Sequence, residues 1–181
     1  MPRRFDPTRR DRIIDVTVEA VAELGVAGIS ARRIAARADV PLGSMTYHFT
    51  DMDELLHEAF TRFSESVADR FEARMVAATT FDEAKQAVAT LILDDLVQSQ
   101  RELVLTHELY TLAARQAAYR TITRAWMARS RAALERHFTP EVARRLDALI
   151  EGLTIHSALD TEEHDPAVTV RAIDAICRTD G

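Results

Sequence analysis

Apolar residues return at helical spacing along almost the whole chain. Ile13, Val16, Ala20, Val21 and Leu24 lie three and four residues apart, the spacing of one helix face, and Gly25 supplies a stop. Asp6-Pro7 ahead of them predicts the start, an acceptor followed by a proline that a first turn tolerates. Ser30 is placed to cap a second, short helix with Ile34, Ala35 and Ala38 on its inner face. Asp39-Val40-Pro41-Leu42 breaks the pattern, and a third short helix is predicted over about 43–49. Thr50 with Asp53 three residues later is close to a capping box. A long helix then carries Leu56, Phe60, Phe63, Val67, Phe71 and Met75 on one face. Further helices are predicted over 81–99, 101–114, 117–138, 140–160 and 166–178, with Pro140 and Pro166 in first-turn positions. No strand alternation, repeat of 20–50 residues or low-complexity tract interrupts this. The expected fold is all-α, nine helices, with a front domain over 1–50 and a helical remainder over 51–181.

Composition agrees with helix: glycine and proline number only 5 each, and hydrophobic residues make up 47% of the chain. The single cysteine, Cys177, cannot form an internal disulfide, which fits a reducing compartment. The basic N-terminus has no apolar segment behind it, and runs such as ATLIL at 89–93 are too short to cross a bilayer. A cytoplasmic protein with no membrane partner is expected. The net charge of −6 conceals a split. Eight arginines meet six acids in the first fifty residues, a surplus of +2, and the remainder carries −8. Only the front end would be drawn to a polyanion.

Two short helices across a tight break, braced by an earlier helix, form a helix-turn-helix, whose second helix can enter the major groove. In that helix Gly43 allows close backbone approach, with Leu42 just before it. Ser44, Thr46 and Tyr47 offer hydroxyls to base edges or phosphates, and His48 a donor to a phosphate oxygen. Met45 and Phe49, four apart, should face inward.

These residues carry a resemblance. GISARRIAARADVPLGSMTYHFTDMDELL, residues 28–56, resembles the DNA-binding domain of the TetR/AcrR family of bacterial transcriptional regulators. The matching features are Ser30, Ile34-Ala35, Val40, GSMTYHF and DMDELL, within a likeness spanning roughly residues 8–60. The resemblance implies a double-stranded, palindromic DNA operator, a homodimer and a small-molecule effector, with repression as the family's habit. The chain also departs from the family pattern. Met45 stands for the usual leucine, and Thr46 for a tyrosine that commonly touches phosphate. Tyr47 follows one place later, about 100° round the helix. Met52 replaces a lysine that often opens the fourth helix, between Asp51 and Asp53. Binding should lean instead on Arg32, Arg33 and the N-terminal arginines, with a shallower salt dependence.

In the remainder, two apolar stripes are candidate dimer surfaces: Leu146, Leu149, Leu153 and His156 in the penultimate helix, Ile173 and Ile176 in the last. The resemblance puts an effector pocket among the middle helices, where Met75, His107, Tyr110, Trp126 and Met127 are the candidate lining. These residues include no cluster of bases, which favours a neutral or apolar effector over a strongly acidic one.

The alternatives are a protein-interaction module or a small helical enzyme. HELYT at 107–111 lacks the second histidine of a zinc-protease motif, and no phosphate-binding or nucleophile-elbow motif occurs. TEEHD at 161–165 gathers metal-binding side chains but sits at a helix break and reads as a solvated loop. No metal, cofactor or catalytic residue is expected.

Overall fold

The computed structural model describes residues 7–96, 100–161 and 165–178, with the backbone alone for 94–96. Among these residues are nine α-helices and no strand. They are α1 (Arg9–Leu24), α2 (Ala31–Arg37), α3 (Gly43–His48), α4 (Met52–Ala77), α5 (Phe81–Thr90), α6 (Gln100–Arg115), α7 (Ala117–Leu134), α8 (Pro140–Leu159) and α9 (Pro166–Cys177). A 3-10 turn, Val26–Gly28, follows α1, and a π-helical segment, Leu91–Leu96, follows α5.

The helix ends show why these segments are helical. Ser30 accepts the Arg33 backbone N–H and caps α2. Thr80 and Glu83 form a reciprocal capping box at α5. Thr139 and Asp165 cap α8 and α9, each followed by a proline in the first turn. Four ends differ from the sequence reading, the first because the helix expected over 81–99 is α-helical only to Thr90 and continues as the π-helical Leu91–Leu96. The helix expected from Asp6-Pro7 begins at Arg9, after an uncapping Thr8, and Asp6 lies outside the described residues. The box at α4 sits one residue later than Thr50–Asp53. Asp51 accepts the Glu54 N–H at 2.9 Å, and the Glu54 carboxylate reaches back to the Thr50 N–H at 2.6 Å. Finally, α7 stops at Leu134, not 138. The chain turns there, His137 bonds through Nε2 to the Met75 carbonyl at 2.7 Å, and buried Phe138 packs edge-on against Phe81.

The chain forms two compact units. The first comprises residues through Phe63 together with Val104–Ile122, and the second comprises Ser64–Leu103 together with the residues from Thr123 onward. Helices α4, α6 and α7 each contribute to both. In the first unit α1 packs on α2 and α2 on α3. Ile13, Ile34, Leu55, Phe60, Leu109 and Tyr119 are almost fully buried there. Burying each such side chain contributes about 1.5–3 kcal/mol. The second unit is built on Met75, Val88, Ile92, Leu134, Leu146 and Ile173, with α9 packed on α5 and α8.

The turn between α2 and α3 is closed by backbone hydrogen bonds. The Val40 N–H reaches the Ala35 carbonyl at 3.0 Å and the Asp39 N–H reaches Ala36 at 3.3 Å. This Schellman-type exit needs a left-handed residue, and Asp39 supplies it with φ 52°. A side chain in that region costs free energy that glycine avoids. Asp39→Gly should therefore stabilise the protein by roughly 0.5–1 kcal/mol, a rise of about 1–4 °C in the thermal midpoint. Asp39→Val should lower it, and calorimetry of the two variants checks both signs.

Candidate nucleic-acid interface

Helix α3 has only six residues, so its position depends on what it buries. Met45 and Phe49 are each 4% exposed and face the interior, as their spacing predicts. The carbonyls of Pro41 and Leu42 accept the N–H groups of Ser44 and Met45 and start the helix directly from the turn. The Arg10 guanidinium lies over the Phe49 ring, 5.2 Å from its centre, and also pairs with Glu58 of α4.

The outer side of α3 is open. Tyr47 is 80% exposed, and Leu42, Gly43 and Thr46 are exposed beside it. A Cβ built on Gly43 would meet nothing within 4 Å, so another body can approach this backbone closely. The Thr46 hydroxyl bonds the Gly43 carbonyl at 3.3 Å. His48 is half-buried, with its ring edge-on to Tyr47 at 4.8 Å. Burial and then the charges of Arg9 and Arg10 hold its pKa below the ordinary 6.5. Ser44 differs from its neighbours. At 5% exposure it is buried beside Met45 and has no surface left for a groove, which corrects the expectation placed on its hydroxyl.

The charges divide into spent and available ones. Arg12 bonds the Ala38 carbonyl at 3.1 Å, Arg37 pairs with Glu23, and Arg62 pairs with Asp11 and Asp15. Arg33 bonds the Gly28 carbonyl. The Arg32 side chain is exposed and makes no hydrogen bond or ion pair among the described residues. Arg3 and Arg4 of the expected N-terminal contribution lie outside the described residues. At the start of α4, the cap formed by Asp51 and Glu54 occupies the N–H groups of Glu54 and Thr50. The Thr50 donors hold the Glu54 carboxyl below its usual range. Two acids and Met52 therefore open α4, with no cation at the position where the sequence resemblance implies a lysine.

The remaining candidate residues separate. His107 and Tyr110 are half-buried in the first unit, Trp126 and Met127 half-buried in the second. Met75 is fully buried in the second unit's core. Leu146 and Ile173 belong to that same core, at 0% and 2% exposure, and have no surface for a partner, which corrects their assignment to a dimer face. Leu149, Leu153 and Ile176 pack partly buried against it, and His156 is exposed. Helices α8 and α9 do expose apolar residues at Leu159, Val168 and Val170. Leu159 and Val170 lie off the apolar stripes of their helices. Glu162, Glu163 and His164 of TEEHD lie outside the described residues, and no described helix is long and apolar enough to cross a membrane.

Comparison with known proteins identifies the arrangement. Residues 13–59 match the sequence model of the bacterial regulatory proteins of the tetR family. The chain superposes on SCO7518, a protein of Streptomyces coelicolor A3(2) assigned as a transcriptional regulator, with a TM-score of 0.89 and 56% identity over 96% of this chain and 100% of that one. A TetR-family member from Streptomyces coelicolor A3, SCO1917, gives 0.75 and 31% identity over 96% and 100%.

This chain belongs to the TetR family.

The HTH-type transcriptional regulator PksA of Bacillus subtilis (strain 168) is 27% identical over 99% of this chain and 96% of its own length. The multidrug binding protein EbrR, in complex with ethidium, is 32% identical with a TM-score of 0.78, over 94% of this chain and 99% of that one. The TetR-family assignment makes the protein a helix-turn-helix transcriptional regulator, with α2 and α3 as its two motif helices.

His48 gives this interface a pH signature. Its lowered pKa leaves it neutral at pH 7, whereas an adjacent phosphate would favour the charged form. Binding should then take up a proton. Affinity for duplex DNA should rise as the pH falls from about 7 towards 5, and His48→Gln should flatten that slope in a fluorescence-anisotropy titration. In the free protein the sign reverses: with the folded pKa depressed, protonating His48 below about 6.5 costs stability.

Proposed function

We propose that the protein is a homodimeric repressor that reads a palindromic operator and leaves it when a small aromatic effector binds. One observation carries the reading of DNA: α3 is locked from beneath by Met45 and Phe49 while Tyr47 stands 80% exposed on its outer side. The proposed contact set is Leu42, Gly43, Thr46, Tyr47 and His48 of the α3 region, with Arg32 and, at a phosphate, Arg33. In the proposed division of labour, residues 1–50 read DNA and residues 51–181 hold the effector and dimer functions.

A single three-helix head reads one half-site, so a palindrome calls for two heads related by symmetry. For the dimer, the exposed apolar residues of α8 and α9 support a face around Leu159 and Val168. Gly152 on α8 supports it too, because a Cβ there would meet nothing within 4 Å. Leu149 packs against the protein's own core, so arginine there would test folding rather than pairing.

The effector reading rests on the EbrR complexes, which hold ethidium, proflavin and malachite green. Those are aromatic dyes. Half-buried Trp126, in the second unit, supplies aromatic surface of the matching kind. Trp126 is the chain's single tryptophan, so its fluorescence reports on the second unit alone.

Selection of bound duplexes from a fragmented genome tests the central reading. The wild type should enrich a short palindrome, and Tyr47→Ala should lose at least about ten-fold in affinity for it while still eluting as a dimer. Leu159→Arg should instead elute at monomer size. Enrichment by Tyr47→Ala equal to the wild type would overturn the assignment of α3. For the effector, ethidium added at micromolar concentration should quench Trp126 and release the selected duplex. Unchanged fluorescence and undiminished DNA binding would exclude this dye class.

A further inference from the structure

Two hydrogen bonds join the middle of α6 and the start of α7 to the head, all within the first compact unit. The Val26 N–H donates to Glu108 Oε1 at 3.2 Å. The Tyr119 hydroxyl donates to Asp53 Oδ1 at 2.7 Å, with the Asp53 carbonyl oxygen at 3.3 Å. Val26 begins the turn after α1, and Asp53 lies in the first turn of α4. The two bonds therefore grip the chain immediately before and immediately after the α2–α3 segment.

Both grips are built rather than incidental. Gly25 has φ +67°, and a Cβ on it would lie 2.5 Å from Glu108 Oε1. The carboxylate thus occupies space that only glycine leaves. Tyr119 is fully buried, with its ring edge-on to Phe60 at 6.1 Å and tilted over His57 at 5.8 Å. With its ring held so, the hydroxyl has one direction in which to bond. Neither Glu108 nor Tyr119 belongs to the proposed DNA-contacting set.

We propose that Glu108 and Tyr119 are positioning residues for DNA reading: from α6 and α7 they pin both ends of the α2–α3 segment and so fix the attitude of α3. This rests on the reading of α3 as the DNA-contacting helix. A segment held at both ends enters the groove with little left to order. Released at either end, it samples more tilts, and binding must restrict them again. The cost falls on specific recognition, which needs register. It spares the sequence-independent attraction of the head, because no phosphate contact is lost.

The test compares wild type, Glu108→Ala, Glu108→Gln and Tyr119→Phe, full length, on the duplex enriched by the wild type and on an unrelated duplex. Titrations run over a range of salt concentrations, well below the thermal midpoint of each variant. Glu108→Ala and Tyr119→Phe should each weaken specific binding roughly ten-fold. Their unrelated-duplex affinity and salt slope should match the wild type. Glu108→Gln keeps an oxygen acceptor for the Val26 N–H and should stay within about three-fold of the wild type.

A purely structural role would lower the thermal midpoint and leave specific affinity unchanged, which would overturn the proposal. A salt slope reduced by about one unit would also overturn it, by making the residue a phosphate contact. Tyr119→Phe retains the ring, so it carries the measurement should Glu108→Ala fail to fold. A wild type that enriches no duplex would overturn the DNA reading itself, an outcome distinct from wild-type binding with indifferent variants.

Discussion

A helix of six residues cannot sustain itself in water, since its nucleation cost is met by almost no propagation. Helix α3 exists because Met45 and Phe49 are buried beneath it and because the turn at Asp39 delivers the chain at the required angle. The rest of the interface follows from that anchorage. With positions 45 and 49 committed inward, the 100° step of the helix leaves Thr46 and Tyr47 outside. The same step takes Ser44 under cover, so a hydroxyl that looks available in sequence is unavailable in space.

Much of this architecture was legible along the chain because independent local signals coincide. Pro140 and Pro166, each behind a capping side chain, mark α8 and α9 as clearly as their apolar periodicity does. The break at 39–42 shows through its proline and its short polar residue. An apolar stripe, by contrast, reports that a face is buried and not what buries it. Leu146 and Ile173 pack inside their own unit, and no spacing distinguishes that from burial against a second chain. Hydrogen bonds between distant residues leave still less trace. Glu108 and Val26 are separated by 82 positions, Tyr119 and Asp53 by 66. A buried tyrosine on a helix signals core. Only the fold gives its hydroxyl a partner.

The first unit also shows how an arginine-rich head can hold few free cations. Most of its described guanidiniums are tied to carboxylates or carbonyls of the unit: Arg10 to Glu58, Arg12 to Ala38, Arg33 to Gly28, Arg37 to Glu23, Arg62 to Asp11 and Asp15. Exposed pairs of this kind add little to stability individually. Their larger effect is to orient long side chains and to mute the field around the head. The formal surplus of +2 in the first fifty residues is unchanged by these ties, which limit instead how far each guanidinium can reach towards a polyanion.

The self-capped start of α4 carries that economy to its end. Asp51 and Glu54 satisfy amides that a helix N-terminus otherwise turns towards a phosphate, and Met52 adds no cation. Attraction to arbitrary sequence comes almost entirely from such contacts. On the DNA reading proposed above, α4 would add little to binding at arbitrary sequence, so the difference between a matching site and the millions of others would rest on what α3 reads.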